Sequence, residues 1–356
     1  MKVLVLTPAP NNISPSQRFR FEHFIGKRSQ NNIIFIQKPF FSDSTWSILY
    51  EKGRFFRKTI GIFKGIINRF LLLFSIFKYD FIFIHREAIP IGPPVLEWII
   101  AKLLRKKIIY DFDDSIWIKM ASESNPMVAN VKCSWKVEKI CRYSYIVSVG
   151  NEFLAKYAKP LCKDVRIIPT VVDTELMHNR LKNQQETPLT IGWTGTFTNF
   201  HNLEIVIPVL NELRKKYEFR FLIIADKDPS FSSINYEYKK WKLSTEIEDL
   251  MEMNIGIMPL KNTEVELGKC AFKAIQYMSL GIPAVVSPVG TNKQVVTDCA
   301  DGFWVENETE WYQKLEKLIT NTDTRFEIGK NARSRIVANY SVKAIEKVFF
   351  NLFEKK

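Results

Sequence analysis

The 356-residue sequence is poor in the residues that build metal centres and disulfide frameworks, with only four histidines and five cysteines. The cysteines are odd in number and form no CxxC pair, and the histidines share no metal-ligand spacing. A zinc-stapled or disulfide-stapled class is therefore excluded, and a reduced compartment is favoured. We expect neither a bound metal nor a cofactor.

A secretion signal is also missing from the sequence. The first ten residues form one short apolar run that ends in a proline turn. A signal peptide would instead have a charged start followed by a long apolar stretch. This pattern predicts a cytoplasmic protein.

Acidic residues are scarce in the first half of the chain. Residues 1–186 contain 29 of the 51 Lys and Arg residues but only 16 of the 38 Asp and Glu residues, an excess of 13 that equals the net charge of the whole chain. A basic half beside a neutral half indicates that one domain faces an anionic partner, either nucleic acid or an acidic membrane leaflet.

Short apolar runs that alternate with helical stretches are abundant throughout, which is typical of parallel α/β sheets. The predicted strands are Val3–Leu6, Ile33–Ile36, Phe81–Ile84, Lys107–Asp111, Tyr145–Val149, Val165–Ile168, Thr190–Trp193, Phe219–Ala225, Ile255–Pro259 and Pro283–Ser287. Near-continuous apolar sequence indicates strands covered by helices on both faces. The predicted fold class is α/β, with two doubly wound Rossmann-like domains that face each other across a cleft.

A polar stretch that ends in proline, residues 181–188, interrupts this pattern and indicates a domain boundary. We predict an N-terminal domain over 1–182, a C-terminal domain over 188–340 and a C-terminal helix over 341–356, with the first domain as its expected packing partner. Open α/β sheets bind ligands at the carboxyl ends of their strands. The binding site is therefore expected between the two domains.

The segment from Gly268 to Pro283 reads as a glycine, a helix, a glycine stop and a proline before a buried strand. Lys269 and Lys273 share one helix face at i, i+4. They lie at a helix N-terminus, where free N–H groups and the helix dipole attract anions. This pattern predicts a phosphate-binding site, and the alternative is an ordinary capped helix whose two lysines meet solvent.

The stretch Gly268–Asn292, which fits GKCxFKxxQYMxxGxPxVxSPVGxN, resembles the donor-binding segment of family-4 retaining glycosyltransferases. The likeness continues at the segments Ser14–Arg20, His85–Ala88, Tyr110–Trp117, Gly150–Glu152, Ile168–Thr170, Gly192–Gly195 and Ile255–Leu260. It implies a GT-B fold and transfer of a sugar, with retention, from a UDP-sugar or GDP-sugar. The implied acceptor is a lipid-linked glycan for a bacterial surface polysaccharide such as capsule, O-antigen or lipopolysaccharide.

The same resemblance implies which residues bind the donor. They are Gly192, Trp193, Thr194, Gly195, Thr196, Lys269, Cys270, Ala271, Phe272, Lys273 and Gln276. Many relatives hold the diphosphate with an arginine and a lysine after the first strand of the second domain. Both are missing from Gly195–Asn202, which leaves Lys269 and Lys273 as their replacements.

The family also carries two glutamates eight positions apart, one near the donor sugar and one at the ribose. Here the second position is Gln276, which still hydrogen-bonds ribose hydroxyls. The first position falls on Gly268, so Glu264 or Glu266 would supply the missing carboxylate. We take Glu266 and Lys273 as catalytic candidates on the donor side.

Three carboxylates, Asp111, Asp113 and Asp114, come at the end of a predicted strand. One interpretation is acceptor binding and base chemistry, with Asp111 and Asp113 as catalytic candidates; another is simple helix capping. A third is the Mg²⁺-binding or Mn²⁺-binding Asp-x-Asp of single-domain GT-A transferases, which the repeated α/β pattern argues against. The remaining acceptor-side candidates are Arg18, Arg20, Arg86, Glu87 and Asp114, because arginine forks suit phosphate and carboxylate groups.

A basic and aromatic stretch, Lys52 to Lys78, has seven cationic residues and no acidic one. Helical periodicity puts Arg54, Arg57, Lys58, Lys64, Asn68 and Arg69 on one arc and Phe56, Phe63, Ile66, Ile67 and Phe70 on the opposite arc. We predict a helix too interrupted by charge to span a bilayer, which lies in the interface of an anionic membrane. The alternative is a helix whose apolar arc covers the first sheet.

Two other classes of function stay open. A sugar-nucleotide epimerase or hydrolase is compatible with the same twin-domain fold, because fold does not fix function. A non-enzymatic basic module that binds membrane or nucleic acid is the second class, although nucleic-acid recognition motifs are missing. We expect no nucleic-acid partner and a cytoplasmic protein that is peripheral at the inner face of the cell membrane.

Overall fold

The structure is a computed structural model that describes residues 1–25, 32–49, 51, 53–118 and 133–354. The chain divides into two compact units, one formed by Met1–Pro169 with Glu346–Lys356 and the other by Thr170–Ile345. Each unit contains a six-stranded parallel sheet. The predicted fold class, α/β with two doubly wound Rossmann-like domains, is confirmed.

The first sheet has the strand order β2-β1-β3-β4-β5-β6. Its strands are β1 (Lys2–Thr7), β2 (Ile34–Pro39), β3 (Phe81–His85), β4 (Lys107–Phe112), β5 (Ile146–Val149) and β6 (Val165–Ile167). The central strands β1, β3 and β4 are buried along nearly their whole length, since both faces of the sheet are covered. They pair in parallel, so their carboxyl ends lie at one edge.

The second sheet has the order β12-β11-β10-β7-β8-β9. Its strands are β7 (Thr190–Gly195), β8 (Arg220–Ala225), β9 (Glu237–Lys240), β10 (Ile255–Met258), β11 (Ala284–Val286) and β12 (Phe303–Trp304). Its largest fully buried core side chains are those of Trp193 and Trp311. Strands β9 and β12 were not predicted, because both lie at sheet edges, where a polar or very short strand suffices.

The helices differ widely in length. The α-helices are Pro15–Gln17, His23–Ile25, Asp43–Leu49, Phe55–Leu72, Val95–Trp98, Lys136–Tyr143, Glu152–Ala158, Ile207–Arg214, Glu246–Met251, Glu264–Leu267, Phe272–Ser279, Asn292–Val295, Glu308–Thr320, Thr322–Asn339 and Val342–Phe350. Turns of π-helix lie at Arg18–Glu22 and Ile99–Leu103, and 3₁₀ segments at Leu73–Lys78, Phe197–Ile205, Leu243–Thr245 and Asn351–Phe353. Asparagine N-caps begin three of the helices, as expected from their short acceptor side chains.

The boundary between the units lies after Pro169, earlier than the polar stretch 181–188 that was expected to mark it. Residues 170–188 bond to the second unit. Val172 forms a parallel bridge with Ser341, and the Lys182 ammonium donates to Met251 O over 2.7 Å. The Gln184 amide donates to Gly281 O. Because these hydrogen bonds fix the segment, its polar composition does not make it a linker.

The end of the chain belongs to the first unit from Glu346 onward. Phe349 is 2% exposed and stacks on Phe24, with ring centroids 4.3 Å apart. It also contacts the rings of Phe83, on β3, and Phe353. These aromatic contacts bury the last helix against the first sheet.

The apolar arc of the long helix Phe55–Leu72 faces outward, whereas in a soluble protein an apolar arc is expected to face the core. Arg69, which was assigned to the polar arc, is buried, together with Gly61 and Gly65. Phe56 and Phe63, from the apolar arc, are exposed. The alternative in which the apolar arc covers the sheet is therefore wrong, because glycines and one arginine form the inner face.

We predict that Phe349→Ala lowers the free energy of unfolding of the first unit by about 3–5 kcal/mol, since it deletes a buried ring and leaves a cavity. The measurement is urea unfolding followed by circular dichroism. Val348→Ala, on the exposed side of the same helix, is the matched control and should cost less than about 1 kcal/mol. Equal effects of the two substitutions would show that the last helix is not packed on the sheet.

Candidate functional site

The first group of candidate residues lies where β1, β3 and β4 end. Ser16 and Arg20 follow β1, and His85 ends β3 with Arg86 directly after it. Asp111 lies near the end of β4, and Asp113 and Asp114 follow that strand. A π-helical turn, Arg18–Glu22, carries Arg20 back under the sheet edge. Adjacent parallel strands bring their carboxyl ends together, so side chains 69 to 97 residues apart meet here.

Asp111 is the buried centre of this group. It is 2% exposed, and its oxygens accept from Arg20 Nη2 at 2.5 Å, His85 Nδ1 at 2.8 Å and Ser148 Oγ at 2.8 Å. Burial alone would raise the pKa of Asp111, but the charge of Arg20 and the hydrogen bond from His85 outweigh it and hold the pKa below its usual value. With both oxygens engaged, Asp111 positions its neighbours.

Asp113 and Asp114 lie further out, beside Arg86. The Arg86 guanidinium donates to Asp113 Oδ1 at 2.8 Å and to Asp114 Oδ2 at 2.6 Å, and its side chain is 29% exposed. Burial would raise the pKa of Asp113, but the charges of Arg86, His85 and Arg20 lower it well below its usual value. This ion-paired trio is the accessible part of the group.

Both ring nitrogens of His85 have partners inside this group. Ser16 Oγ donates to Asp113 Oδ1 over 2.7 Å and lies 2.8 Å from His85 Nε2. The other ring nitrogen, His85 Nδ1, lies 2.8 Å from Asp111 Oδ2. Because Ser16 gives its only proton to Asp113, the Ser-His-Asp alignment is not that of an activated nucleophile.

Acidic and basic side chains are paired throughout this group. Two arginines, Arg20 and Arg86, together with His85 face three carboxylates, Asp111, Asp113 and Asp114. We name these six residues the charge cluster. Pairing makes it possible to bury half of these groups, since an unpaired buried charge is strongly destabilising.

Two of the predicted acceptor-side residues have other surroundings. Glu87 is buried, with its carboxylate 3.4 Å from the Lys136 ammonium, which also donates to Ile89 O at 2.9 Å. Arg18 is 2% exposed, and its guanidinium lies 4.7 Å from the ring centroid of Phe19. Both side chains therefore lie inside the first unit, whereas Arg86, Asp113 and Asp114 reach its surface.

Arg86 has a left-handed backbone conformation, with φ of +59°. Such a conformation is strained for a side chain larger than glycine and needs support from its surroundings. The support comes from the Arg86 N–H, which donates to Asp111 O at 2.7 Å, and from the ion pairs described above. The strained turn directs the guanidinium across the end of β4.

The second group of candidates surrounds the start of the helix Phe272–Ser279, which follows β10 in the chain. Ala271, the N-cap, is fully buried in the left-handed conformation, with φ of +54°. The Lys273 ammonium lies 5.4 Å from the Trp193 ring centroid, and a Cβ at position 195 would lie 2.8 Å from Lys273 Cε. Gly195 therefore makes room for Lys273 at the end of β7.

Lys269 lies on the same side. Its ammonium donates to Asn199 Oδ1 at 2.8 Å, and both it and Lys273 are half-buried. The helix begins at Phe272, three residues after Lys269. Cys270 is buried, with its thiol 3.7 Å from Gly268 O, so only its backbone remains near the helix start.

Glu266, and not Glu264, has a defined place in this group. Glu264 is exposed, whereas Glu266 is 3% exposed and accepts hydrogen bonds from Thr263, from His201 Nε2 at 3.2 Å and from Asn202 at 3.5 Å. Burial would raise the pKa of Glu266, but the hydrogen bonds from Thr263 and His201 outweigh it and lower the pKa. The carboxylate is therefore kept ionised beside the lysines.

Gln276 is buried one turn further along the helix. Its amide lies 3.5 Å from Glu246 Oε1, which also accepts from Trp241 Nε1 at 3.1 Å. The sequence analysis did not identify Glu246, because it begins a separate short helix 30 residues earlier and belongs to no motif. A buried glutamate next to Gln276 restores a carboxylate close to the position where the family has one.

The remaining donor-side residues are largely structural. Gly192 lies inside β7, where a Cβ would meet Met253 at 2.3 Å, and Trp193 is 1% exposed. The Thr194 N–H donates to the buried Tyr277 hydroxyl at 2.9 Å, and burial raises the pKa of that tyrosine. Thr196, just after the strand, is the first of this stretch with a side chain at the surface.

Among the described residues, no set of three or more His, Cys, Asp or Glu side chains is arranged to hold a metal ion. The aspartates at the end of β4, which the sequence offered as a metal-binding alternative, form ion pairs with Arg20 and Arg86. The cationic side chains near the start of the helix Phe272–Ser279 are those of Lys269 and Lys273.

Residues 188–321 match the family model described as Glycosyl transferases group 1. The match lies within the second unit and includes the whole segment from Gly195 through Lys269, Lys273 and Gln276. This part of the chain is therefore similar to the glycosyl transferases of group 1. A comparison with curated proteins found no match.

Solved structures share the fold of the whole chain. HepE from Anabaena, in complex with UDP-glucose, is 14% identical with a TM-score of 0.66, covering 99% of each chain. A glycosyltransferase from Rickettsia africae is 13% identical with a TM-score of 0.65, covering 99% of this chain and 97% of that one. A mutant of TarM from S. aureus is 17% identical with a TM-score of 0.60, over 81% and 58% of the two chains. These likenesses establish the GT-B fold.

We predict that Asp111→Asn lowers the free energy of unfolding by about 3–5 kcal/mol at pH 7, because Arg20 is left buried without its counter-charge. Asp111 has a lowered pKa, so its contribution is complete above the ordinary Asp pKa and is lost as pH falls through the lower folded value. The difference from wild type should be equal at about pH 7 and pH 5 and shrink below about pH 4.

The control for this prediction is Glu138→Gln, which breaks the exposed ion pair to Arg142. An exposed i, i+4 pair contributes less than about 1 kcal/mol. The measurement is urea unfolding at each pH. If the two substitutions had the same small effect, the charge cluster would not be the structural centre described here.

Proposed function

We propose that the protein is a retaining, family-4-type glycosyltransferase that moves a sugar from a nucleotide diphosphate donor to an acceptor. The observation that carries the proposal is the pair of lysines at the N-terminal end of the helix Phe272–Ser279, inside the region that matches the glycosyltransferase family. The helix dipole and the two ammonium groups together favour a diphosphate. We propose a UDP-sugar rather than a GDP-sugar as the donor, since HepE and TarM were solved with UDP-glucose or UDP.

Each part of the donor has a matching group in the second unit. We assign the diphosphate to Lys269 and Lys273, and the ribose hydroxyls to Gln276 with Glu246 behind it. Glu266, ionised and held by His201, is assigned to the hydroxyls of the sugar. This assignment replaces the two family glutamates with one buried carboxylate from the preceding helix and one amide–carboxylate pair.

The proposed chemistry depends on stabilising the leaving group. Negative charge develops on the diphosphate as its bond to the sugar breaks, and preorganised cations at that point lower the barrier most. Lys273 is preorganised because Gly195 and the Trp193 ring confine its side chain. We propose that these lysines and the helix N-terminus do this work without a metal or cofactor. The acceptor hydroxyl attacks from the face that the diphosphate leaves, the bond between sugar and diphosphate breaks, and the hydroxyl proton passes to the departing diphosphate oxygen.

The acceptor is assigned to the first unit, at the accessible edge of the charge cluster. Asp113, Asp114 and Arg86 there offer both hydrogen-bond acceptors and a planar cation to a glycan. The lowered pKa of Asp113 makes it a weak base. We therefore assign it to orienting the incoming hydroxyl through a hydrogen bond. The lipid-linked glycan of a surface polysaccharide remains our proposed acceptor class, supported by the family resemblance and by the exposed basic helix of the first unit.

We predict that Lys273→Ala lowers the rate of transfer by about 10²-fold or more, the usual effect of removing one preorganised group from a transition state. Its melting temperature should change little, because the ammonium is half-buried at the helix start. Lys330→Ala, on an exposed face of the second unit, is the matched control. Near-normal transfer by Lys273→Ala would end the diphosphate assignment.

We also predict that Asp113→Asn reduces transfer while donor affinity, measured by calorimetry with the UDP-sugar, stays within about twofold of wild type. The reason is that Asp113 lies in the first unit and the donor is assigned to the second. The assay includes the donor alone: release of free sugar or formation of an epimer without acceptor would favour a hydrolase or epimerase over a transferase. Loss of donor affinity in Asp113→Asn would reverse the assignment of sides.

A further inference from the structure

The first unit has a continuous apolar surface along the helix Phe55–Leu72 and the 3₁₀ segment Leu73–Lys78. Its outward side chains are Phe55, Phe56, Ile60, Phe63, Ile67, Phe70, Leu71, Phe74 and Phe77, which we name the aromatic face. Phe56, Phe63 and Phe74 are 76%, 62% and 86% exposed. Exposed apolar patches of this size mark a binding surface.

Packing prevents this helix from turning its aromatic face inward. Its inner side is lined by Gly61 and Gly65, and a Cβ at these positions would lie 2.3 Å from Thr45 Cγ2 and 2.7 Å from the Phe40 ring. No larger side chain fits at such close approach. Only the side of the helix with the two glycines can therefore face inward, and this fixes the rotation of the helix about its own axis.

Arg69 fixes the same orientation by hydrogen bonds. It is 1% exposed, with Nε donating to Ala88 O at 2.8 Å and Nη2 to Thr7 O at 2.9 Å. Burial lowers its pKa to about 10, so it stays charged at neutral pH. A surface helix of a soluble protein usually buries its apolar residues and exposes its charged ones. This helix does the reverse, since it buries an arginine and exposes phenylalanines.

The surroundings of the aromatic face are cationic. Arg57 and Lys64 are exposed on the flank of the helix, Lys78 ends it, and the Lys106 ammonium lies 5.6 Å from the Phe77 ring centroid. No acidic residue occurs between positions 52 and 78. Two copies of this chain would bring like charges together at such a surface, whereas anionic lipid headgroups would neutralise them.

We propose that the aromatic face is a membrane-docking surface, which lies in the interface of an anionic bilayer with its phenylalanines among the upper acyl chains and its cations at the headgroups. The segment Phe55–Lys78 has 24 residues and is, by length and composition, also apolar enough to cross a membrane, since its most apolar 18-residue stretch has a mean hydropathy of 1.8. Its inner side is held on the first unit by Arg69 and the two glycines, so the helix lies along the surface. This proposal is independent of the glycosyltransferase proposal.

The test is flotation of the intact protein with vesicles of phosphatidylcholine alone or with about one-third phosphatidylglycerol. The wild type should float with anionic vesicles, bind neutral ones weakly, and be released by alkaline carbonate. Replacing Phe63, Ile67 and Phe74 by glutamine should reduce binding at least tenfold at any salt concentration, since apolar insertion is not screened. Replacing Arg57, Lys64 and Lys78 by glutamine should reduce it at about 0.1 M salt and have less effect at about 1 M.

Matched controls replace Phe326, Leu176 and Leu243, three exposed apolar residues of the second unit, by glutamine and should bind like wild type. All substituted side chains are exposed, so circular dichroism and melting temperature should be unchanged. Equal binding by the aromatic-face variant and wild type would overturn the proposal. Resistance to release by carbonate would also overturn it, because it would indicate a helix that spans the membrane. A wild-type dimer that the aromatic-face substitutions convert to a monomer would overturn it as well, because it would indicate that the aromatic face is a contact between copies of the chain.

Discussion

The ion pair between Arg20 and Asp111 is the interaction on which the first unit's candidate site depends. Both side chains are almost completely buried, and a buried charge without its partner destabilises a protein by several kcal/mol. Arg20 therefore holds the turn after β1 against the end of β4, and Asp111 in turn orients His85. The remaining contacts continue outward from His85 to Ser16, from Ser16 to Asp113 and from Asp113 to Arg86. The accessible edge of the cluster is thus a surface extension of a buried, ion-paired network.

The two candidate sites share one backbone feature. In each unit, central parallel strands end at a common edge, and the candidate site contains a residue in a left-handed conformation, Arg86 directly after β3 in one unit and Ala271 at the helix start in the other. Strained residues at such points persist because their surroundings support them. The first unit assembles paired charges of both signs, which suits a hydroxyl-rich acceptor. The second leaves two lysines at a helix start beside an ionised glutamate, which suits a sugar joined to a diphosphate.

The proposed docking of the aromatic face agrees with the proposed acceptor class. A lipid-linked glycan is held at a membrane, and a helix docked on that membrane would keep the proposed transferase close to it.

The orientation of this helix also marks the limit of sequence reasoning. Periodicity identified its two arcs, but it does not say which arc faces inward; Gly61 and Gly65, at i, i+4, were the available signal. The ten predicted strands were found because buried parallel strands are apolar runs, whereas β9 is polar and β12 has two residues. Glu246 was missed because only the fold brings it to Gln276.

The central claim is that the donor binds the second unit at the start of the helix Phe272–Ser279. Hydrogen exchange of the intact protein, followed by mass spectrometry with and without saturating UDP-sugar, tests it directly because it locates the ligand without requiring turnover. The account predicts slower exchange in peptides that cover Gly192–Thr196 and Gly268–Gln276, and in those around Glu246. Protection confined to the loops after β1, β3 and β4, or no protection in the second unit by any nucleotide sugar, would contradict it.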